Sequence, residues 1–444
     1  MEQAGKVDCG TSAVEVVPDQ ERPALGKCLR AARAVAGGGL LVRERYLSFV
    51  SLPVVEGWRQ HVQLYAAIAQ GRHAATTPEG SVPGSWGAGF DGIRQADLAA
   101  DDQGLAKRVR AEIRAGEEGA KLPDDIVEQM VYLSCVFHLN SYSFPGEDGR
   151  RNDVLFPTIC RANHSCAPNA VLVPCATRDE TKLIALRPIA PGDPVETCFC
   201  PNQYLLRTIS QRRAVIQQKW GWTCQCRRCE APTDLTRCFA VKCAACGAAS
   251  AAAASASTGA SSTLSCTACG RAAEDGPAVE QLLAEEAEAE AFLLSLQEPD
   301  DLDLDVEGGT DGLDSPSFQQ CASFASKHPA HHVAAEVWRR QAVLLHSQGK
   351  LAEAAAAQQA FVAAVKALFP PGIRGLAWFV ELHCRLAYLL ELAGQRQEAR
   401  AALRQMLENM ELCSGRTPSP GMVFDLIECP SWWKFLQEVG PELI

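Results

Sequence analysis

Three thiols fall within six residues at Cys224-x-Cys226-x2-Cys229, and this spacing constrains the chain more than any other feature. Thiols so close together can cover one face of a tetrahedral Zn²⁺, with a fourth ligand to come from elsewhere. A second set follows: Cys243-x2-Cys246, then 19 residues, then Cys266-x2-Cys269. Each pair is followed by a glycine, Gly247 and Gly270, which lets the backbone turn so that amides point at thiolates. Four thiolates in closed geometry form a structural zinc site with no position open to substrate. Two structural zinc sites are therefore expected, and the remaining cysteines need no metal.

The chain has 20 cysteines in 444 residues. Clustered thiols of this kind are metal ligands in a reducing compartment and disulfides in an oxidising one. Met1 to Val16 carries charges and no apolar run of signal length, so cytoplasm and/or nucleus is the expected location. No stretch approaches 18 apolar residues, so no membrane span is expected. The net charge is −11, but 15 Asp and Glu lie between Glu274 and Asp314, where no Lys or Arg occurs. The rest carries −11 + 15 = +4, so the overall acidity says little about partners. Few basic residues flank the second cysteine set (Arg237, Lys242, Arg271), and no basic-aromatic stripe accompanies it. No specific nucleic-acid binding is expected.

Leu25 to Leu29 and Leu40 to Glu44 read as strands joined by a turn at Gly37-Gly38-Gly39. Val62 to Ile68 and Ile126 to Leu139 have helical periodicity, and Pro78 to Gly92 reads as a surface loop. Phe156 to Cys200 is strand-like, with a turn at Pro191-Gly192-Asp193, and Thr208 to Trp220 reads as a helix. Ala248 to Ser262 is almost all Ala, Ser and Gly and is expected to be a flexible loop. Glu274 to Asp314 begins as an acidic helix and ends as a disordered linker. From Pro329 the pattern is helical, with Gly349-x3-Glu353-Ala354 recurring as Gly394-x3-Glu398-Ala399 at a period of 45 residues. Stacked helical hairpins are expected there.

Asn163-His164-Ser165-Cys166-Ala167-Pro168-Asn169 would read alone as a structural turn. Followed by a strand, the Pro-Gly-Asp turn and a helix into Cys-x-Cys-x2-Cys, it resembles a SET domain with its post-SET zinc loop. More closely it resembles the SMYD (SET and MYND) family. Asn140-Ser141-Tyr142-Ser143-Phe144 is similar to the Asn-Ser-Phe segment of that family, and Leu155-Phe156-Pro157 to its approach to the motif. Lys327-His328-Pro329 opens a helical C-terminal domain, as it does in the family.

The resemblance implies an α+β fold with these parts: an N-terminal SET part (1–53), a helical insert (54–130), a SET core (131–200) and a post-SET zinc loop (201–230). A zinc-ribbon-like module (231–273), an acidic helix and linker (274–326) and a TPR-like helical domain (327–444) follow. It implies that S-adenosylmethionine is bound by Asn163, His164, Asn140, Trp222 and the loop holding Lys27. Trp220 then belongs to the lysine channel, and Cys166 is the fourth ligand beside Cys224, Cys226 and Cys229. The implied activity is lysine methylation of a protein substrate, histone or non-histone. Further protein partners are expected on the C-terminal helical domain.

Three departures from the family bear on activity. Ser51 to Gln70 contains no cysteine, so the MYND finger is absent. The cofactor loop Gly-x-Gly-Leu reads Gly26-Lys27-Cys28-Leu29. The family's catalytic tyrosine position is Phe199, with Tyr204 five residues on. Loss of a preorganised hydroxyl at a reacting centre costs on the order of 10²–10³ in rate. The alternative is therefore a non-catalytic SET scaffold acting through its zinc modules and helical domain.

Overall fold

Some strands of the first half pair with sequence neighbours and others with strands about a hundred residues or more away, and the described strands fall into four small sheets. The computed structural model describes residues 12–20, 27–45, 48–53, 58–69, 104–145, 150–174, 180–200, 202–249, 251–254, 264–272, 277–296, 313–369 and 377–414. Two compact units divide the chain, one of residues 1–164, 168–197 and 215–223, the other of 165–167, 198–214 and 224–444.

In the first unit, β1 (Val14–Pro18) and β2 (Lys27–Ala31) pair antiparallel, and β10 (Pro194–Thr197) pairs with the other edge of β2. The two-residue strand β7 (Asn163–His164) then pairs parallel with β10, placing Thr197 opposite His164. A second sheet has the order β3 (Leu40–Arg45), β9 (Glu180–Ala185), β8 (Ala170–Pro174). A third has the order β4 (Ser48–Pro53), β6 (Arg150–Leu155), β5 (Ser141–Pro145). Thr181, Leu183 and Ala185 alternate along β9 and are all buried, as a strand with one core face requires. Leu183 and Ala185 join a core that includes Leu29, Leu41, Ile159 and Val195. The expected strand–turn–strand near the N-terminus is present, with Gly38 at φ 77. Its two strands nevertheless enter different sheets and do not form a hairpin, because β2 is claimed by β1 and β10 and β3 by β9.

Helices α1 (Trp58–Ala69), α2 (Leu105–Ala115) and α3 (Asp124–Asn140) also lie in the first unit. Leu105, Val109 and Ile113 recur every four residues on α2 and meet Val127, Met130 and Val131 of α3. Helix α3 runs through the 130/131 boundary drawn from sequence. The stretch Pro78 to Gly92 lies outside the described residues. Helix α4 (Ile209–Trp220) matches the expected helix and delivers the chain to the cysteine triplet.

The second unit contains a three-stranded antiparallel sheet, β11 (Thr233–Phe239), β12 (Ala251–Ala254), β13 (Leu264–Cys266). This corrects the expectation of a flexible Ala/Ser loop. Ala251 to Ala254 form the central strand, with Ala251 opposite both Phe239 and Cys266. Ladder hydrogen bonds come from the backbone, so alanines without bulk still serve when a strand stands on each side. The rest of that expectation, at 255–262, falls outside the described residues, as does the acidic linker at 297–312.

Helix α5 (Pro277–Ser295) is the acidic helix, and α6 (Pro316–Lys327) opens on an N-cap in which Ser315 Oγ accepts from Phe318 N–H. Two helical hairpins follow, α7 (His332–Ser347) with α8 (Leu351–Leu368) and α9 (Ala377–Leu392) with α10 (Arg396–Ser414). Their turns repeat in detail. Gly349 and Gly394 have φ 71 and 77. Lys350 N–H donates to Leu345 O at 2.9 Å, and Gln395 N–H to Leu390 O at 2.8 Å. Both are Schellman closures, and Ala354 and Ala399 seat the returning helices with no exposed surface. No helix among the described residues is long and apolar enough to cross a membrane.

Candidate cofactor and metal centres

The motif strand β7 is only two residues long, so it needs help to hold its place. Asn169 supplies it. Its Nδ2 donates to Pro194 O at 2.7 Å, and its Oδ1 accepts from Glu196 N–H at 2.8 Å. Its own N–H donates to Glu196 O at 3.1 Å, which laces the end of the motif to β10. Asn163 Nδ2 donates to the buried carboxylate of Asp19 at 3.0 Å. The ring of His164 lies 5.8 Å from that of Trp222, tilted by 57°.

Trp222 and Trp220 sit at the C-terminal end of α4, where the last carbonyls lack helical partners. Arg108 of α2 donates to Gln218 O at 2.9 Å, and His138 of α3 donates to Lys219 O at 2.6 Å. Gly221 turns the chain with φ 83. Trp220 is half-buried, with the Lys219 ammonium 6.0 Å from its ring centre. Within this unit the structure thus gathers Asn163, His164 and Trp222.

Four residues singled out in the sequence sit differently. The Asn140 amide is buried and donates to Val136 O at 2.9 Å, within its own helix. Lys27 is exposed at the start of β2. Cys28 is buried in β2 opposite Val17, an extended position that any residue adopts, so no glycine is needed there. Phe199 is half-buried in the irregular segment after β10 and belongs to the second unit.

The first thiol group is Cys166, Cys224, Cys226 and Cys229, all buried and all within 4.8 Å of one another. Sulfur–sulfur distances include 4.0 Å for Cys166–Cys224 and 3.6 Å for Cys229–Cys166. A tetrahedral ion with bonds of about 2.3 Å sets its sulfurs about 3.8 Å apart, so the spacing suits Zn²⁺. Cys166 N–H donates to Cys226 Sγ at 3.3 Å. Zinc with four thiolates carries two net negative charges, and a buried and a half-buried cation lie near them. Arg212 is 1% exposed, with Nε and Nη2 lacking hydrogen-bond partners. Burial opposes its charge, yet Cys229 and Cys166 hold the guanidinium charged. Burial, and then the Arg212 charge, lower Arg228 to about 10, which still leaves it cationic at neutral pH. It donates to Cys166 O at 3.0 Å.

The second group is Cys243, Cys246, Cys266 and Cys269, with sulfurs 3.7 Å apart for Cys243–Cys269 and 3.5 Å for Cys246–Cys266. The two glycines behave as the sequence implied. Gly247 and Gly270 have φ 73 and 72, and each N–H donates to the carbonyl of the first cysteine of its pair at 2.9 Å. The turns aim backbone N–H groups at sulfur. Those of Cys246 and Ala245 lower the Cys243 thiol, and those of Cys269 and Ala268 bring Cys266 down to about 6. Such amides stabilise thiolates, the form that binds metal.

A third group, Glu286, His331 and His332, lies close enough to invite a metal. It does not fit one. His331 Nδ1 accepts from Val333 N–H at 3.2 Å, its Nε2 meets Glu286 at 3.1 Å, and Arg237 already holds both oxygens of Glu286. No ring lone pair remains on His331, and the group is a buried ion network. Sequence reasoning missed it because its residues show no spacing that marks chemistry, and it saw Asn169 within the motif without its lacing role.

No protein-family model matches the chain. Over 103 residues, 23% of its length, it is 27% identical to the histone-lysine N-methyltransferase SET5 of Saccharomyces cerevisiae (strain YJM789), covering 17% of that protein. Over 136 residues, 30% of its length, it is 27% identical to the N-lysine methyltransferase SMYD2 of Rattus norvegicus, covering 27% of that protein. SMYD2 of Homo sapiens is 27% identical over 108 residues, 24% of this chain and 23% of that one. The matches thus span less than a third of these relatives. A solved SET domain, of LSMT bound to lysine and AdoHcy, aligns over 97% of this chain and 92% of its own at 11% identity. Its TM-score of 0.28 is too low to bear on the fold.

Proposed function

We propose that this chain is a SET-domain protein resembling the SMYD-like lysine methyltransferases, and that it transfers methyl groups from S-adenosylmethionine to lysine side chains of a protein substrate, histone or non-histone. The observation that carries the proposal is the gathering of Asn163, His164 and Trp222 around the β7–β10 junction, fixed by Asn169. Asn163 and His164 would hold the amino-acid end and the adenine, with Trp222 packing on the cofactor and Asn140 and the Lys27 loop as further contacts. S-adenosylmethionine supplies an electrophilic methyl on a sulfonium.

The chain has to deliver the acceptor amine without its proton. A lysine ammonium titrates near about 10.4 in water, and apolar walls such as Trp220 lower that value. The remaining task is alignment of the amine with the methyl carbon. Zinc at the two thiol groups would be structural, since each offers four protein ligands and no open position. The C-terminal hairpins, TPR-like in form, are the proposed surface for protein partners, and cytoplasm and/or nucleus the proposed location.

Phe199 favours a second function, a SET scaffold without catalysis. Calorimetry with S-adenosylmethionine, followed by lysine methylation on a protein array, separates the two for wild type and Phe199→Tyr. Binding and turnover support the enzyme. No cofactor binding in either protein would sink it, and turnover confined to Phe199→Tyr would support the scaffold.

A further inference from the structure

We propose that Asp19 is a positioning residue for the cofactor: its carboxylate fixes the Asn163 amide so that Asn163 Oδ1 accepts from the α-ammonium of S-adenosylmethionine. This rests on the methyltransferase function above and adds to it the residue that sets the direction of that contact.

Asp19 follows β1, whose last residue, Pro18, pairs with Lys27 of β2. In the sheet order, β2 and β10 stand between β1 and the motif strand β7. No strand pairing therefore brings Asp19 to Asn163. The two side chains meet nevertheless, with Asn163 Nδ2 donating to Asp19 Oδ2 at 3.0 Å. Both residues belong to the first unit, as do His164 and Trp222 with their ring contact.

Asp19 is 3% exposed. Burying a carboxylate is costly unless hydrogen bonds offset the loss of water, and a neutral residue would close over β7 without that cost. The charge has a use in the amide it faces. An amide has two unlike ends, an NH2 that donates and an oxygen that accepts, and nothing in the strand decides which end points where. A carboxylate only accepts. Asp19 therefore draws the NH2 to itself and turns Oδ1 the other way.

Asn163 Oδ1 accepts no hydrogen bond from any described residue. Asn163 is half-buried, and this oxygen is not sealed from solvent. An open acceptor of fixed direction suits a donor, and the bond is strongest when the donor is charged. The α-ammonium is the one cationic N–H donor of S-adenosylmethionine. The Asp19 charge behind the amide polarises it toward Oδ1 and adds its own attraction for a cation. Asp19 touches no cofactor atom and moves no proton, since its effect passes through Asn163.

The test uses the full chain and two stable ligands, S-adenosylhomocysteine and its analogue with the α-amine replaced by hydrogen. Calorimetry gives both affinities for wild type, Asp19→Asn and the swapped pair Asp19→Asn with Asn163→Asp. In wild type, loss of the amine should weaken binding by about tenfold or more. In Asp19→Asn the amide loses its accept-only neighbour. S-adenosylhomocysteine should then bind about tenfold more weakly, while the analogue changes by less than about twofold. The swapped pair again joins an amide to a carboxylate and turns an accepting oxygen to the amine. Its affinity for S-adenosylhomocysteine should recover to within about threefold of wild type. A role confined to packing would weaken both ligands alike in Asp19→Asn, and that result would overturn the role of Asp19 and leave the function standing. Equal wild-type affinities for the two ligands would do the same, and this reading needs no variant to fold. Binding of neither S-adenosylmethionine nor S-adenosylhomocysteine by wild type would overturn both.

Discussion

Asn169 holds β10 to the motif with two side-chain hydrogen bonds from a position that is 4% exposed. Asn169→Ala would leave Pro194 O and Glu196 N–H buried without partners, and should cost roughly 2–3 kcal/mol in denaturant unfolding. A cost below about 0.5 kcal/mol would mean that water satisfies both groups. At the candidate metal centres, Cys226→Ser removes one of the four thiols of the buried group. Zinc content should fall from two to one per chain, with loss of S-adenosylmethionine binding, and unchanged zinc would refute the ligand set. All four cysteines of each group were legible in sequence, three or four by spacing and Cys166 through resemblance. Asn169 was visible within its motif, but its role was not, because a lacing amide leaves no periodic signal.

At the scale of elements, β12 is the one that reading by composition misjudged. An Ala/Ser run has nothing to pack, yet Ala252 stands opposite both Cys238 and Ser265. Ala252→Pro should break the ladder, lower the melting temperature and loosen zinc at the ribbon, because proline cannot donate in a central strand. Melting and zinc content equal to wild type would show that β12 is dispensable. The hairpin glycines were read correctly, since a repeat of Gly-x3-Glu-Ala carries its own geometry. Gly349→Ala and Gly394→Ala each force a side chain to φ above 70° and should cost about 1 kcal/mol. The sheet partners of β2 and β3 were not legible, because pairing across more than a hundred residues is set by the whole core.

Within the second unit, Glu286 of α5 joins Arg237 of β11 to His331 before α7. Burial, with the nearby His332 charge, lowers His331 to about 3, against an ordinary value of 6.5. Burial raises Glu286, but Arg237 and His331 outweigh it and bring the carboxyl down to about 2. Both groups take up protons more readily in the unfolded chain, so stability is lost as pH falls. The His331 contribution goes between about 6.5 and 3, and the Glu286 contribution below 4.5. Each group adds at most about 1.4 kcal/mol per pH unit to the slope. Urea unfolding of wild type and His331→Gln between pH 6.5 and 4.5 should give a shallower slope in the variant. Equal slopes would show that His331 takes up no extra proton on unfolding.

The two thiol groups share a geometry but not an environment. Cys166, Cys224, Cys226 and Cys229 are buried, whereas Cys246 and Cys269 are exposed. Were zinc held at both groups, a chelator in solution would reach the exposed one first, and the two ions would leave on separate clocks. Sulfurs held under 4 Å apart are also ready partners for one another once the ion is gone. Peroxide would then convert the emptied ribbon into a disulfide and give the protein a memory of its exposure that added zinc cannot erase until a reductant is supplied.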